Sequence, residues 1–204
     1  MIKKNHFILI CILALTSCNT LTITNSLRVL DGYLFGYESD EVSIERYNSF
    51  NASFARVKFG GGESVYVVLA YAKPGSYEWR SADNISIFTN NGHIFKTKGL
   101  ERDIEYESFD VNKSMTESKS NFTFKNPPLY GLFANNSFKE KKSISIKRLE
   151  KSIKLRRITH NLKIDEINFK ASNDYYLNEQ GVVLLTRQKI HPMYPKITIE
   201  FFYK

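Results

Sequence analysis

Ile85-Ser86-Ile87-Phe88-Thr89-Asn90-Asn91-Gly92-His93-Ile94-Phe95-Lys96-Thr97 decides the class of fold. Two alternating segments, 85–89 and 93–97, flank Asn90-Asn91-Gly92. An Asn-Gly pair in that setting is the strongest short-range hairpin signal, because both central residues of a type I′ turn need positive φ. The pattern repeats on either side. Residues 54–59 alternate, with Ala55, Val57 and Phe59 on one face and Arg56 and Lys58 on the other. Gly60-Gly61-Gly62 turns the chain into residues 64–71, a nearly continuous apolar run of the kind expected for a strand buried on both faces. Lys73-Pro74-Gly75 reads as a loop, residues 112–121 as a polar loop, and Pro127-Pro128 as a break in pairing. Further strands are expected at 143–149, 153–159, 164–170, 175–178, 182–190 and 196–202, with a turn at Glu179-Gln180-Gly181. Leu27, Leu30 and Leu34 recur at helical spacing, so a short N-terminal helix is expected over 26–35, capped by Thr24 or Asn25 and ended by Gly36. With 15 Phe and 12 Tyr favouring strands, the fold class is mainly β: curved antiparallel sheets forming a sandwich or half-barrel.

The start of the chain has a different character. Lys3 and Lys4 precede an uninterrupted apolar run over 7–15, followed by Leu15-Thr16-Ser17-Cys18. This is the layout of a secretory signal peptide, and the run is too short for the roughly 18–20 residues of a membrane-spanning helix. The cleavage region resembles the lipobox of bacterial lipoproteins, in which the cysteine thiol receives a diacylglycerol and becomes the new N-terminus. An ordinary signal with an incidental cysteine is the plainer alternative. The lipobox reading divides the chain into a signal peptide (1–17), a lipidated Cys18 with its tether (18–24) and a single β-rich periplasmic domain (25–204). Cys11 would leave with the signal, so no disulfide could form. Resemblance to enterobacterial lipoproteins implies that Asn19, after the cysteine, directs the protein to the outer membrane.

The formal charge of +8 is concentrated in residues 139–170, which hold eleven basic and four acidic side chains. A basic face attracts polyanions. In the periplasm these are acidic polysaccharide, lipopolysaccharide phosphates or anionic lipid headgroups, not nucleic acid. Arg148, Lys154, Arg156 and Arg157 are the candidate polyanion contacts; solvated outward strand positions are the blander reading.

Signals for enzymatic chemistry are weak. His93, His160 and His191 show no metal-pair spacing, Ser64 sits in no G-x-S-x-G elbow, and Gly60–Gly62 lacks the Lys-Ser/Thr of a phosphate loop. Glu101, Asp103, Glu105 and Glu107 would share one face of a strand. Two carboxylates roughly 5–10 Å apart can hydrolyse a glycoside, but a charged strand edge facing water explains them as well. No catalytic residue, metal or cofactor is therefore expected beyond the covalent lipid on Cys18.

Three segments in order, Tyr66-Val67-Val68-Leu69-Ala70-Tyr71, Trp79-Arg80-Ser81-Ala82-Asp83-Asn84 and Thr89 through Leu100, resemble the YjbF/GfcB family of capsule and exopolysaccharide-operon lipoproteins. Tyr175-Tyr176-Leu177, Gly181, Thr186-Arg187-Gln188 and Glu200-Phe201 continue the likeness, while His93 stands where that pattern carries Arg. The resemblance implies a predominantly β fold and a role in making or exporting surface polysaccharide, without established catalytic residues. Trp79, Asp83, Arg187 and Gln188 are then candidate contacts for polymer or partner. Each also has a structural reading: Trp79 as a core residue, Asp83 as a turn former, and Arg187 and Gln188 as bonds to a neighbouring strand. The expected function is that of a non-enzymatic accessory on the periplasmic side of the outer membrane, touching acidic polysaccharide or polysaccharide-export proteins. Two alternatives stay open: a LolA-like lipid-handling module, which needs an unfilled apolar cavity, and a polysaccharide-modifying enzyme, which needs a cleft with paired acids.

Overall fold

The computed structural model describes residues 41–113 and 117–204. The helix expected over 26–35, the signal region and Cys18 lie outside the described residues. One α-helix, α1 (Ile44–Ser49), begins where the Ser43 hydroxyl accepts from the backbone N–H of Arg46. Twelve antiparallel strands follow: β1 (Phe54–Phe59), β2 (Ser64–Lys73), β3 (Ser76–Arg80), β4 (Ser86–Asn90), β5 (His93–Lys98), β6 (Ile104–Tyr106), β7 (Ser118–Lys125), β8 (Pro128–Arg148), β9 (Lys151–Ile164), β10 (Phe169–Leu177), β11 (Val183–Gln188) and β12 (Ile197–Phe202). Each pairs with its sequence neighbours, and β1 pairs with β12 from Phe54↔Phe202 to Phe59↔Ile197, so the sheet closes into a barrel. Among the described residues, closure removes edge strands around the barrel wall, and open edges remain only where β8 runs beyond Asn136 and β9 precedes Arg156. The antiparallel β class is as expected; the sandwich or half-barrel gives way to a closed barrel, because the first and last strands find each other.

The Asn-Gly hairpin forms as read, with φ of 39° at Asn91 and 80° at Gly92. Its side chain bolts it to the rest of the barrel: Asn91 Oδ1 accepts from Val183 N at 3.0 Å. A Cβ at Gly92 would lie 2.4 Å from Val183 Cγ1, so close approach as well as positive φ requires glycine here.

Barrels of more than about eight strands ordinarily enclose a lumen. This one is filled. Trp79, Phe122, Phe124, Tyr175 and Phe201 are among its fully buried side chains. The β6–β7 connection supplies Phe109 and Val111 to the same core, and the β11–β12 connection supplies Ile190. Opposite walls touch: the rings of His93 on β5 and His160 on β9 have centroids 6.3 Å apart, although three strands separate them around the sheet. Inward apolar and outward charged positions invert the pattern of a membrane-spanning barrel, whose apolar band faces lipid.

Several local expectations are corrected. Residues 64–71 are not buried on both faces; Val65, Val68 and Tyr71 of β2 are exposed. The polar segment 112–121 contains the start of β7 at Ser118. Pro127-Pro128 does not end pairing but makes the β7–β8 turn, with Lys125 opposite Pro128. A 3-10 turn at Asp165–Ile167 replaces the strand expected over 164–170 and joins β9 to β10.

β8 and β9 are the longest strands, and their far ends form an arm that leaves the barrel wall at a register shift between Lys141 and Ile144. The arm turns at Leu149-Glu150, both at positive φ (46° and 64°). Its tip docks on the outside of the barrel. Leu149 packs with Tyr47, Phe50 and Tyr66 around buried Val42, Phe54 and Phe202, where the Phe54 and Phe202 rings stack at 4.7 Å.

Candidate binding surfaces on the barrel wall

Two of the sequence-derived contact residues are interior. Trp79 is 1% exposed, and its indole N–H donates to Thr89 Oγ1 at 2.9 Å. Gln188 is fully buried; its amide donates to Gly92 O at 2.8 Å and accepts from Tyr175 Oη at 2.9 Å and from Ile94 N at 3.1 Å. Neither can meet a polymer, so the contact reading is withdrawn for both. Asp83 is exposed in the β3–β4 turn. Arg187 is exposed on β11, its guanidinium 6.0 Å from the Tyr176 ring centre. The structure does not bring these two together at one site.

The buried polar groups beside Gln188 form a network. Asn136 Nδ2 donates to Ser120 Oγ at 2.6 Å, which leaves Asn136 Oδ1 to accept from Tyr106 Oη and from His160 Nε2 at 2.9 Å. His93 Nδ1 meets Tyr175 Oη at 3.2 Å. His93 Nε2 and His160 Nδ1 have no hydrogen-bond partner. Burial holds the His93 imidazole well below its ordinary pKa, with the nearby His160 adding to it, and pulls that of His160 down to about 3. Phe109 stacks on His93 at 3.8 Å and Phe138 on His160 at 4.6 Å, closing both rings in. The cavity beside His93 measures only about 10 Å³, room for one water and not for a substrate.

The four acids of 101–107 are committed to structure. Asp103 accepts from Thr97 Oγ1 (2.8 Å) and from the N–H groups of Gly99 (2.9 Å) and Leu100 (3.1 Å). Glu105 pairs with Lys96 and Lys125, and the hydrogen bond from Lys96 leads in lowering its pKa. A general acid needs the opposite shift. Glu101 pairs with Arg102, and Glu107 accepts from Asn121 N. Among the described residues, no three His, Cys, Asp or Glu side chains converge as a metal site.

The basic region sorts into two kinds of cation. Its arginines hold the fold. Arg148 is buried beneath the arm tip, bonded to Leu184 O (3.3 Å), Glu200 Oε1 (3.3 Å) and Phe201 O, and lies 4.0 Å over the Phe202 ring. Arg157 makes a two-pronged bond to Asp174 (3.1 and 2.9 Å). Burial would raise the Asp174 carboxyl, but the bonds from Arg157 and Thr159 outweigh it and hold the pKa below the usual range. Arg156 bonds Asn112 Oδ1 and Glu140. Arg148 is therefore corrected from a polyanion contact to an internal latch. Lys154 is exposed on the arm, as are Lys147 and Lys151, and Lys139, Lys141 and Lys142 are exposed at its base.

Among the described residues, two grooves on the surface bear on binding. One, of about 650 Å³, lies where Arg148 and Leu149 meet Tyr47, Tyr77 and Tyr203 and the turn at Asn90-Asn91. The larger, of about 1020 Å³, runs across the outer wall of β7 to β10. Lys119, Asn135, Lys163 and Lys170 stand directly opposite one another on successive strands there, beside a second row of Ser137, Asn161 and Ser172. Sequence reading missed this groove. Its residues are scattered over positions 117–172 and are aligned only by strand register.

Comparison with known proteins agrees with this architecture. The family model described as group 4 capsule polysaccharide lipoprotein gfcB, YjbF matches residues 27–202. Over 95 residues the chain is 28% identical to the uncharacterized lipoprotein YjbF of Escherichia coli strain K12, covering 47% of this chain and 44% of that protein, less than half its length. The crystal structure of the hypothetical lipoprotein YmcC from Escherichia coli K12 shares the fold, with a TM-score of 0.68 over 86% of this chain and 94% of that one at 16% identity. On the match across most of its length, the chain belongs to the YjbF family of group 4 capsule polysaccharide lipoproteins.

Proposed function

We propose that this protein is a non-enzymatic lipoprotein, anchored through lipid on Cys18 to the periplasmic face of the outer membrane, that assists production or export of capsular polysaccharide through the outside of its barrel. One observation carries the reading: the interior is packed solid, while the outer wall offers a large groove bordered by lysine, asparagine and serine side chains and an arm that carries exposed lysines. Lipid handling needs an apolar cavity of a few hundred Å³ or more, and aromatic rings occupy that space here. Enzymatic modification of the polymer needs acids with perturbed pKa values in a cleft, whereas the acids of 101–107 are engaged with Lys, Arg and backbone N–H groups.

The test is a deletion strain complemented by wild type or by Cys18→Ala, with polysaccharide measured at the cell surface and in the periplasm. The expected result is loss of surface polymer with periplasmic accumulation, rescued by wild type and not by Cys18→Ala. Full rescue by an unanchored protein would contradict the membrane-bound role.

A further inference from the structure

The groove across β7 to β10 has a charge arrangement that the fold does not need. Lys163 and Lys170 are directly opposed across β9 and β10, and like charges at that position destabilise a sheet. Lys163 pairs with Asp165, but both groups are about half exposed, so the pair contributes little. Lys119 and Lys170 make no ion pair with the described residues. Two acids stand beside the row: Glu117 in the groove lining and Asp165, which pairs with Lys163 and accepts from Asn135 Nδ2, so the row keeps an excess of one positive charge. Three cations are thus held in one row with Asn135 between two of them, at a free-energy cost that an anion in the groove would relieve.

The neighbouring groups define what kind of anion fits. The Asn161 side chain and the Ser137 and Ser172 hydroxyls are amide and hydroxyl partners of the type that hydrogen-bond sugar hydroxyls. Phe133 lies on the same outer face of β8, two residues before Asn135, and is 53% exposed, which supplies an apolar face for a sugar ring. At the roughly 4.8 Å spacing between strands, the row from Lys119 to Lys170 is about 14 Å long. That accommodates a few pyranose rings in an extended chain. A membrane surface is broad and cannot follow a concave groove lined by hydroxyls and amides; the exposed lysines of the arm suit it better.

We propose that this groove binds a short stretch of carboxylate-bearing polysaccharide, with Lys119, Lys163 and Lys170 holding successive uronate carboxylates and Asn161 and Ser172 holding ring hydroxyls. The inference rests on the capsule reading above and names the polymer chemistry the outer wall would grip.

The test is calorimetric titration of the purified full chain, kept in a polyoxyethylene detergent that carries no sugar. The probes are oligogalacturonates and hyaluronan oligosaccharides, with maltooligosaccharides as neutral controls. The wild type should bind both uronate series and not the neutral one, with affinity levelling off once the oligomer outgrows the row. Lys119→Gln/Lys163→Gln/Lys170→Gln should weaken binding by at least about tenfold, equivalent to about 1.4 kcal/mol. This variant should not lower the unfolding midpoint, because it removes a like-charge pair. An arm variant, Lys141→Gln/Lys142→Gln/Lys151→Gln, should bind within about twofold of wild type. Equal loss in the two variants would reduce the effect to general polyanion attraction and overturn the proposal. So would failure of both uronate series, or capture of anionic phospholipid vesicles by the same three lysines instead of the oligosaccharides. None of these results touches the capsule role, which the deletion strain decides separately.

Discussion

Arg148→Ala should lower stability by about 3 kcal/mol and release the β8–β9 arm from the barrel wall. The guanidinium is 9% exposed and reaches three acceptors belonging to other strands: Leu184 O, Phe201 O and Glu200. It also lies 4.0 Å over the centre of the Phe202 ring. Truncation leaves buried carbonyls without a donor and removes the lid over the Phe54–Phe202 stack, each a recognised source of large losses. Glu200 keeps its 2.9 Å pair with Arg56, so no carboxylate is stranded, which places the effect at the low end of the range for breaking a buried pair. Arg148→Lys should rescue little, because an ammonium can neither fork between two carbonyls nor stack on the ring. Urea unfolding gives the global change. Amide exchange over residues 143–155 should rise selectively in the variant. A loss below about 1 kcal/mol with the arm still protected would contradict the latch.

The second large effect is on acid stability. His93 and His160 are neutral inside the barrel, with folded-state pKa values below the ordinary 6.5, that of His160 near 3. In the unfolded chain both titrate normally. Below about pH 6.5 the unfolded state therefore binds protons that the folded state refuses, and linkage makes stability fall as pH falls. The stabilisation is complete above the unfolded pKa and drains away toward the folded one, a window for His160 from about pH 6.5 to 3. Inside that window His160 contributes a slope of up to about 1.4 kcal/mol per pH unit. Between pH 6.5 and 5 His160 alone should cost roughly 1.6 kcal/mol, and His93 adds a loss of the same sign. The check is urea unfolding at successive pH values for wild type and for His160→Gln, which keeps a side-chain donor but cannot titrate. The variant should show a shallower fall in stability between pH 6.5 and 5; an unchanged slope would show that the His160 imidazole is not responsible.

What could be read from sequence follows from how local each determinant is. The Asn91-Gly92 hairpin was legible because turn chemistry is carried by two adjacent residues. The strand at 54–59 is legible from alternation and one is expected at 196–202, but their pairing with each other, which closes the barrel, involves residues about 140–150 positions apart and has no local mark. The long arm was read as two separate short strands because its turn, Leu149-Glu150, lacks the glycine or asparagine that usually announces positive φ. Charge was legible as an amount and not as a role. A run of basic residues looks uniform in sequence, yet the arginines turned out to hold strands and arm together while the lysines face water. Trp79 and Gln188 belong to recognisable family segments, but their part in the likeness comes from packing and hydrogen bonding inside the barrel. The groove could not be seen at all without register, since Lys119, Asn135, Lys163 and Lys170 become neighbours only across three strand pairings.

The proposed use of the outer wall of a solid barrel in capsule export is tested by measuring surface polysaccharide in the deletion strain carrying Lys119→Gln/Lys163→Gln/Lys170→Gln. The variant protein should accumulate to wild-type levels while polymer is depleted from the cell surface and retained in the periplasm. Surface polymer at wild-type amounts would contradict a working role for that wall.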